Sequence, residues 1–257
     1  MLLVLDAGNT NTTVGVFDGP DLVRHWRLMS ERHTADELGI YLLNLLATAK
    51  IPADAIDGAV LASVVPPLDA ALIEGLDRYL GVSCLKVTAS LDLGITIGYG
   101  TPEEVGADRL VDAVAGVARW GSPLIIVDFG TAITLNVIDE GDVYLGGAIA
   151  PGLMTSMEAL FGRTAKLPKI GLEAPSSVIG RTTIESIQAG ILFGNAGLVD
   201  SLVRRIWKEL GRKTTVIATG GLASVVASHS ETIEAVDPWL TLEGLRLIHE
   251  RNGACPS

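Results

Sequence analysis

Leu3-Val4-Leu5-Asp6-Ala7-Gly8-Asn9-Thr10-Asn11-Thr12-Thr13-Val14-Gly15-Val16-Phe17-Asp18-Gly19 has a counterpart further along the chain, Ile125-Ile126-Val127-Asp128-Phe129-Gly130-Thr131-Ala132-Ile133-Thr134-Leu135-Asn136-Val137-Ile138-Asp139-Glu140-Gly141. Asp6 aligns with Asp128 and Asp18 with Asp139, the second copy being shorter by one loop residue. Each copy reads as a short apolar strand, an Asp-x-Gly turn carrying Thr, and a second run rich in β-branched residues, the pattern of a β-hairpin. The glycine lets backbone approach a ligand closely, while loop N–H groups and Thr hydroxyls offer donors to phosphate oxygens. The Asp carboxylate would repel phosphate directly, so its use is to hold a hard cation or that cation's water shell. A single loop of this kind reads as an ordinary turn stabilised by an Asx or Thr side chain. Two copies, each early in a domain-sized stretch, point instead to two similar domains facing each other across a nucleotide. No G-x-x-x-x-G-K-[ST] occurs, and the first loop leads into a strand-like Thr/Val run rather than a helix, so neither a P-loop nor a Rossmann turn fits.

At 257 residues the chain has length for one large or two small domains, and the duplication favours two: 1–120 with the first loop, 121–257 with the second. The net charge of −11, with no Lys/Arg run, argues against a nucleic-acid partner. An anionic substrate stays open, because loop amides and metal ions supply local positive field. Cys84 and Cys255 form no metal or redox motif and read as two thiols in a reduced compartment rather than a disulfide. The N-terminus enters a strand almost at once, and no uninterrupted apolar stretch approaches the length of a membrane span, so a soluble cytoplasmic protein without a membrane partner is expected. His25, His33, His229 and His249 lack metal-ligand spacing, and Trp26, Trp120, Trp207 and Trp239 read as core or interface anchors.

Strands and helices alternate along the chain, which places it in the α/β class. A strand meander to residue 28 is followed by a helix from Thr34 to about Ala49, with Leu38, Tyr41, Leu42, Leu45 and Leu46 on one face. Ala59–Val65 is a buried strand closed by Pro66-Pro67, before a helix over 68–79 and a strand over 84–87. A helix from Gly106 to Trp120 carries small residues that allow close approach of another helix or a second subunit. The second half repeats the order, with hairpin strands to Ala150 and a long helix over 183–210 carrying Gly190, Gly194 and Gly197 on its buried side. Thr219-Gly220-Gly221 is then a strand-to-helix turn that suits either a flat adenine ring or a plain connection.

Asp108 is the second distinctive residue. At a helix N-terminus its simplest role is an N-cap. It also follows a glycine-rich segment containing Tyr99, precedes Arg109, and lies in the half that carries the first loop. A kinase needs a carboxylate beside the acceptor hydroxyl and a cation for the acceptor's own negative group, and Asp108 with Arg109 supplies both.

Asp6-x-Gly8-Asn9-Thr10-x-Thr12-x-x-Gly15, Ser63-Val64-Val65-Pro66, Gly106-Ala107-Asp108-Arg109, Asp128-x-Gly130-Thr131-Ala132 and Gly146-Gly147-x-Ile149-x-Pro151-Gly152 match in order the motifs of type III pantothenate kinase, the family that the chain resembles. So do Gly180-Arg181-x-Thr183, Gln188-Ala189-Gly190 and Thr219-Gly220-Gly221, which extends the likeness over nearly the whole chain. The resemblance implies the duplicated actin-like fold of the acetate and sugar kinases, a homodimer, and phosphorylation of pantothenate with ATP and Mg²⁺ as the first step of coenzyme A biosynthesis. It makes Asp6, Ala7, Gly8, Asn9, Thr10, Asn11, Thr12, Thr13 and Thr131 nucleotide-binding, with Asp6 near Mg²⁺ through water. It places Tyr99, Gly106, Ala107, Asp108, Arg109 and Thr183 around pantothenate, makes Asp108 the general base, and puts a monovalent cation, K⁺ or NH₄⁺, at Asp128. Thr182 stands where the family often has Asn, which leaves Thr182 and Thr183 both open as the substrate contact. A sugar kinase of the same superfamily and a non-catalytic transcription accessory factor are the rival readings. Retention of Asp6, Asp108, Asp128 and Thr131 together favours catalysis.

Overall fold

The computed structural model describes residues 1–163 and 171–253. Cys255 therefore lies outside the described residues. Two units emerge: Met1–Ala118 together with the chain from Leu240 onward, and Arg119–Trp239. The sequence-based division assigns the C-terminal helix to the second half, whereas that helix belongs to the first unit.

In unit 1, β1 (Leu2–Ala7), β2 (Asn11–Asp18) and β3 (Asp21–Met29) form the meander, followed by α1 (Ala35–Thr48), β4 (Gly58–Ser63), α2 (Pro66–Leu80), β5 (Cys84–Lys86), β6 (Thr96–Ile97) and α3 (Ala107–Trp120). Strands β1 to β5 make a sheet in the order β3-β2-β1-β4-β5, antiparallel from β1 to β3 and parallel from β1 through β4 to β5. Leu3, Leu5, Val14 and Val16 alternate onto the face covered by Leu38, Leu42 and Leu46 of α1 and Leu68, Leu72 and Leu76 of α2. α1 starts in a capping box, the Thr34 hydroxyl accepting from the Glu37 N–H while the Glu37 carboxylate accepts from the Thr34 N–H. Pro66 and Pro67 do more than close β4. They are the first residues of α2, where a missing N–H costs nothing.

The last helix, labelled α7 (Leu240–Asn252) in chain order, packs on β1 and β4. It is also the partner of the small-residue helix α3. A Cβ on Gly244 would lie 2.2 Å from the Val111 carbonyl oxygen, and the Thr241 hydroxyl donates to Asp112 at 2.7 Å. The close helix approach expected for α3 is thus met by a glycine on α7.

Unit 2 repeats the plan with β7 (Leu124–Phe129), β8 (Ala132–Asp139), β9 (Val143–Pro151), α4 (Leu153–Arg163), α5 (Thr183–Leu210), β10 (Thr215–Thr219), α6 (Ala223–Ala227) and β11 (Ala235–Val236). Its strands run β9-β8-β7-β10-β11 with the same directions as their counterparts in unit 1. The duplication reaches a detail of register, for a bulge falls between Val16 and Phe17 and again between the equivalent Val137 and Ile138.

α5 begins in a second capping box, with Thr182 and Glu185 bonded reciprocally, and ends at Gly211 in the left-handed region. Ile187, Ile191, Leu192, Ala196, Val199 and Val203 are buried in the core of unit 2. Gly190, Gly194 and Gly197, expected on that buried side, lie on the exposed face with open space beside them. The apolar row of α5 is complete without them, so the helical period carries them outward. By length and composition α5 could cross a membrane, yet half of its most apolar window is buried within the protein, as in a core helix.

Candidate active site

The first loop is closed by its own backbone. The Gly8 N–H donates to the Asn11 carbonyl at 3.1 Å, leaving Asn9 and Thr10 exposed at the tip. Thr12 is buried, its hydroxyl 2.9 Å from that of Ser30, and the Ser30 N–H donates to the Thr10 carbonyl at 3.0 Å. Ser30 at the end of the meander therefore braces the loop from behind. Ala7, just before the turn, accepts from the Val64 N–H at 3.1 Å, and the Val65 N–H donates to the Ser63 hydroxyl at 3.0 Å. The Ser63-Val64-Val65 segment is thereby fastened to the base of the loop.

Asp108 reaches the same place. A Cβ on Gly106 would lie 2.5 Å from Asp108 Oδ1 and 3.6 Å from Val64 Cγ1. Only glycine leaves room for the carboxylate to fold back over the start of α3, beside the segment bonded to Ala7. Asp108 is not the N-cap expected from the sequence. α3 starts at Ala107, the Leu110 N–H donates to the Gly106 carbonyl, and Asp108 is the second helical residue. Its Oδ1 accepts from the Arg109 N–H at 2.8 Å. Burial raises the Asp108 pKa above its ordinary value of 3.8, opposed by that N–H and by the Arg109 charge. The Arg109 side chain is itself buried. Unit 1 thus brings together Asp6 through Thr13, Val64 and Gly106 through Arg109. Tyr99 is half-buried in the loop that follows β6.

The second loop is built alike. The Gly130 N–H donates to the Ala132 carbonyl at 3.1 Å, the same bond as Gly8 to Asn11. Thr131 is exposed, and its carbonyl accepts from the Gly152 N–H at 3.1 Å and the Thr155 hydroxyl at 2.7 Å. A Cβ on Gly152 would meet the Thr131 carbonyl oxygen at 2.4 Å and that of Gly130 at 2.5 Å, so the start of α4 lies against the loop backbone. β7 pairs with β10 so that Asp128 stands opposite Thr219. Gly220, at φ +92°, lets the chain turn where a Cβ would touch Asp128 Oδ1 at 2.3 Å. Unit 2 thus brings Asp128, Gly130, Thr131 and the Thr219-Gly220-Gly221 turn into one cluster. At the start of α5 the Thr182 hydroxyl is committed to its cap, while Thr183 is the exposed first helical residue.

Ser30, Thr155 and the bracing role of Gly152 were not legible in the sequence. Ser30 and Thr155 are single hydroxyls outside any motif, and they join the loops only through tertiary contact.

The doubled β-β-β-α-β plan, with a glycine-turn loop after the first strand of each half, is the actin-like fold of the acetate and sugar kinases. The 2-hydroxyisocaproyl-CoA dehydratase activator of Clostridium difficile, solved with bound ADPNP, shares this fold at a TM-score of 0.58 and 16% identity, covering 97% of this chain and 95% of that one. An inorganic polyphosphate/ATP-glucomannokinase from an Arthrobacter strain shares it at 0.52 and 12% identity, covering 95% and 94%. Residues 2–205 match the family model of type III pantothenate kinase. A type III pantothenate kinase of Bacillus cytotoxicus is 48% identical over 253 residues, covering 98% of this chain and 97% of the relative. The chain belongs to the type III pantothenate kinase family.

Proposed function

We propose that the protein transfers the γ-phosphoryl group of ATP to the primary hydroxyl of pantothenate, the first step of coenzyme A biosynthesis. The observation that carries this reading is the Asp108 carboxylate, buried beside Val64, which is bonded to the base of the first phosphate loop. The acceptor oxygen attacks the γ-phosphorus, the bond to the β–γ bridging oxygen breaks, ADP departs, and the hydroxyl proton passes to Asp108. Alignment and charge neutralisation account for most of the rate in such a transfer. Burial raises the proton affinity of Asp108, as suits a general base. Arg109 beside it answers the pantothenate carboxylate, with Tyr99 and Thr183 as further substrate contacts. The Thr182 oxygen accepts the capping N–H of Glu185, and Thr183, whose hydroxyl takes no part in the cap, is the substrate contact of the two in this reading.

Loop amides and the hydroxyls of Thr10 and Thr131 hold the phosphates, and the Thr219-Gly220-Gly221 turn offers bare backbone to adenosine. No group of three or more His, Cys, Asp or Glu side chains suited to a metal occurs among the described residues. Mg²⁺ keeps several waters and needs only one or two carboxylates besides the substrate phosphates, and Asp6 of the first loop would supply one through water. Bound there, the ion neutralises developing charge on the phosphates. No lysine occurs in either loop. We assign that charge also to K⁺ or NH₄⁺ beside Asp128. A homodimer is supported by the apolar side chains that unit 2 leaves exposed, Ile149, Val178 and Ile179 among them, and by the bare glycine face of α5.

A coupled assay with ATP, Mg²⁺ and a panel of acceptors tests the reading. Pantothenate is phosphorylated, and glucose, N-acetylmannosamine and acetate are not. Turnover of a sugar with none on pantothenate rejects it.

A further inference from the structure

Behind the first phosphate loop, unit 1 forms a pocket of about 210 Å³ that opens to solvent on one side. Leu5 of β1, Val14 of β2, Leu38 and Leu42 of α1, and Leu68 and Leu72 of α2 wall it, and Glu31, His33 and Tyr41 line it as well. The His33 ring stands edge-on to Tyr41, 5.4 Å between centroids, while Glu31 and Tyr41 are exposed and so mark the mouth. Thr12 is the polar residue of the wall nearest the loop, and its hydroxyl is already bonded to Ser30. The six aliphatic side chains of the inner wall suit an apolar ring, while Glu31, His33, Tyr41 and Thr12 place polar groups at its edges. Glu31 at the mouth favours a hydrogen-bond donor on the ligand and disfavours an anion.

We propose that this cavity is a binding site for a neutral aromatic small molecule of one or two rings carrying an N–H or O–H donor, and that its occupancy is transmitted to the nucleotide loop. The route is short. Thr12 touches the cavity, its hydroxyl holds Ser30, and the Ser30 N–H holds the Thr10 carbonyl at the tip of the loop. A ligand seated against Thr12 bears on the side chain that holds Ser30, whose N–H is bonded to that tip. A ligand that binds one position of the brace better than the other shifts the loop by that difference.

Indole is the probe. In the full-length protein with labelled Leu and Val methyls, indole shifts the signals of Leu5, Val14, Leu38, Leu42, Leu68 and Leu72 and leaves Leu135 and Val199 of unit 2 in place. Calorimetry on the same sample shows the Kd for ADP changed about fivefold or more, the lower range of measured coupling. Benzoate, similar in size and anionic, does neither. Leu72→Trp fills the cavity and abolishes the methyl shifts. Ser30→Ala leaves indole bound and removes its effect on ADP. The site is overturned if indole at millimolar concentration shifts no cavity methyl, or if its shifts survive in a folded Leu72→Trp. Should that variant fail to fold, the wild-type methyl map alone decides the site. An unchanged Kd for ADP, or an equal response in Ser30→Ala, overturns the transmission. Neither readout involves turnover, so both stand whatever the acceptor is.

Discussion

Asp108 is held by a glycine. Gly106 leaves the space into which the carboxylate folds, and α3 then presents it beside Val64 and the base of the loop. Asp108→Asn keeps the shape and the bond from the Arg109 N–H but cannot accept a proton. Turnover is expected to fall ~10²–10⁴-fold, the range for a lost general base, with melting temperature and ATP affinity close to wild type. A variant that melts like the parent and turns over at a comparable rate would leave Asp108 a structural residue. The pH profile adds a second check. Because burial raises the Asp108 pKa, the acid limb of kcat/KM lies above the ordinary carboxylate value of 3.8 and disappears from the residual activity of Asp108→Asn. Cys84 offers no comparable chemistry, since burial pushes its thiol up to about 12 and keeps it protonated.

Glycines that look alike in sequence differ at the scale of elements. Gly152 starts α4 against the carbonyls of Gly130 and Thr131. Gly152→Ala must move that backbone, and turnover is expected to drop on the order of 10²-fold, the cost of displacing a binding group by about an ångström. A kinetic assay showing wild-type KM for ATP and wild-type turnover would contradict the bracing role. Gly190 and Gly194 of α5 have nothing beside them within unit 2. Alanine at either position should stabilise the isolated chain by ~1 kcal/mol through helix propensity. If this face meets a second copy, the same methyl groups weaken the dimer. Sedimentation of Gly190→Ala/Gly194→Ala beside its thermal melt separates the two effects, and an unchanged dimer would show that the interface lies elsewhere.

The whole molecule depends on a return of the chain. α7 comes back after unit 2 to cover β1 and β4, bringing the His249 ring 3.0 Å from where a Gly58 side chain would begin. Burial lowers the His249 pKa below 6.5, with Asp57 and Glu250 opposing. A group whose folded pKa is depressed contributes stability that is present above the unfolded value and is lost as pH falls through the folded one. Urea midpoints should therefore decline below pH 6.5 more steeply in the parent than in His249→Gln. Parallel profiles would show that His249 carries none of that dependence. At the same scale, the cation proposed beside Asp128 predicts activity that requires K⁺ or NH₄⁺ and is poor in Na⁺ alone. Equal rates in the three chloride salts at matched ionic strength would reject that.

Much of this fold is written locally. The two Asp-x-Gly hairpins, the helix start at Thr34 and the apolar row of α1 depend on residues a few positions apart, so their periods and turn chemistry can be read directly. The repeat made the duplication legible, and the ordered motifs carried the family and most of the candidate site residues. Tertiary structure alone decided which unit claims α7, because the apolar stripe of a helix does not say which sheet it will cover. It moved Asp108 from the cap to the second helical position, a shift of one residue that rotates a side chain by about 100°. It also brought Ser30 to Thr12 and Thr155 to Thr131. Such hydroxyl contacts join residues distant in the chain, and no local pattern records them.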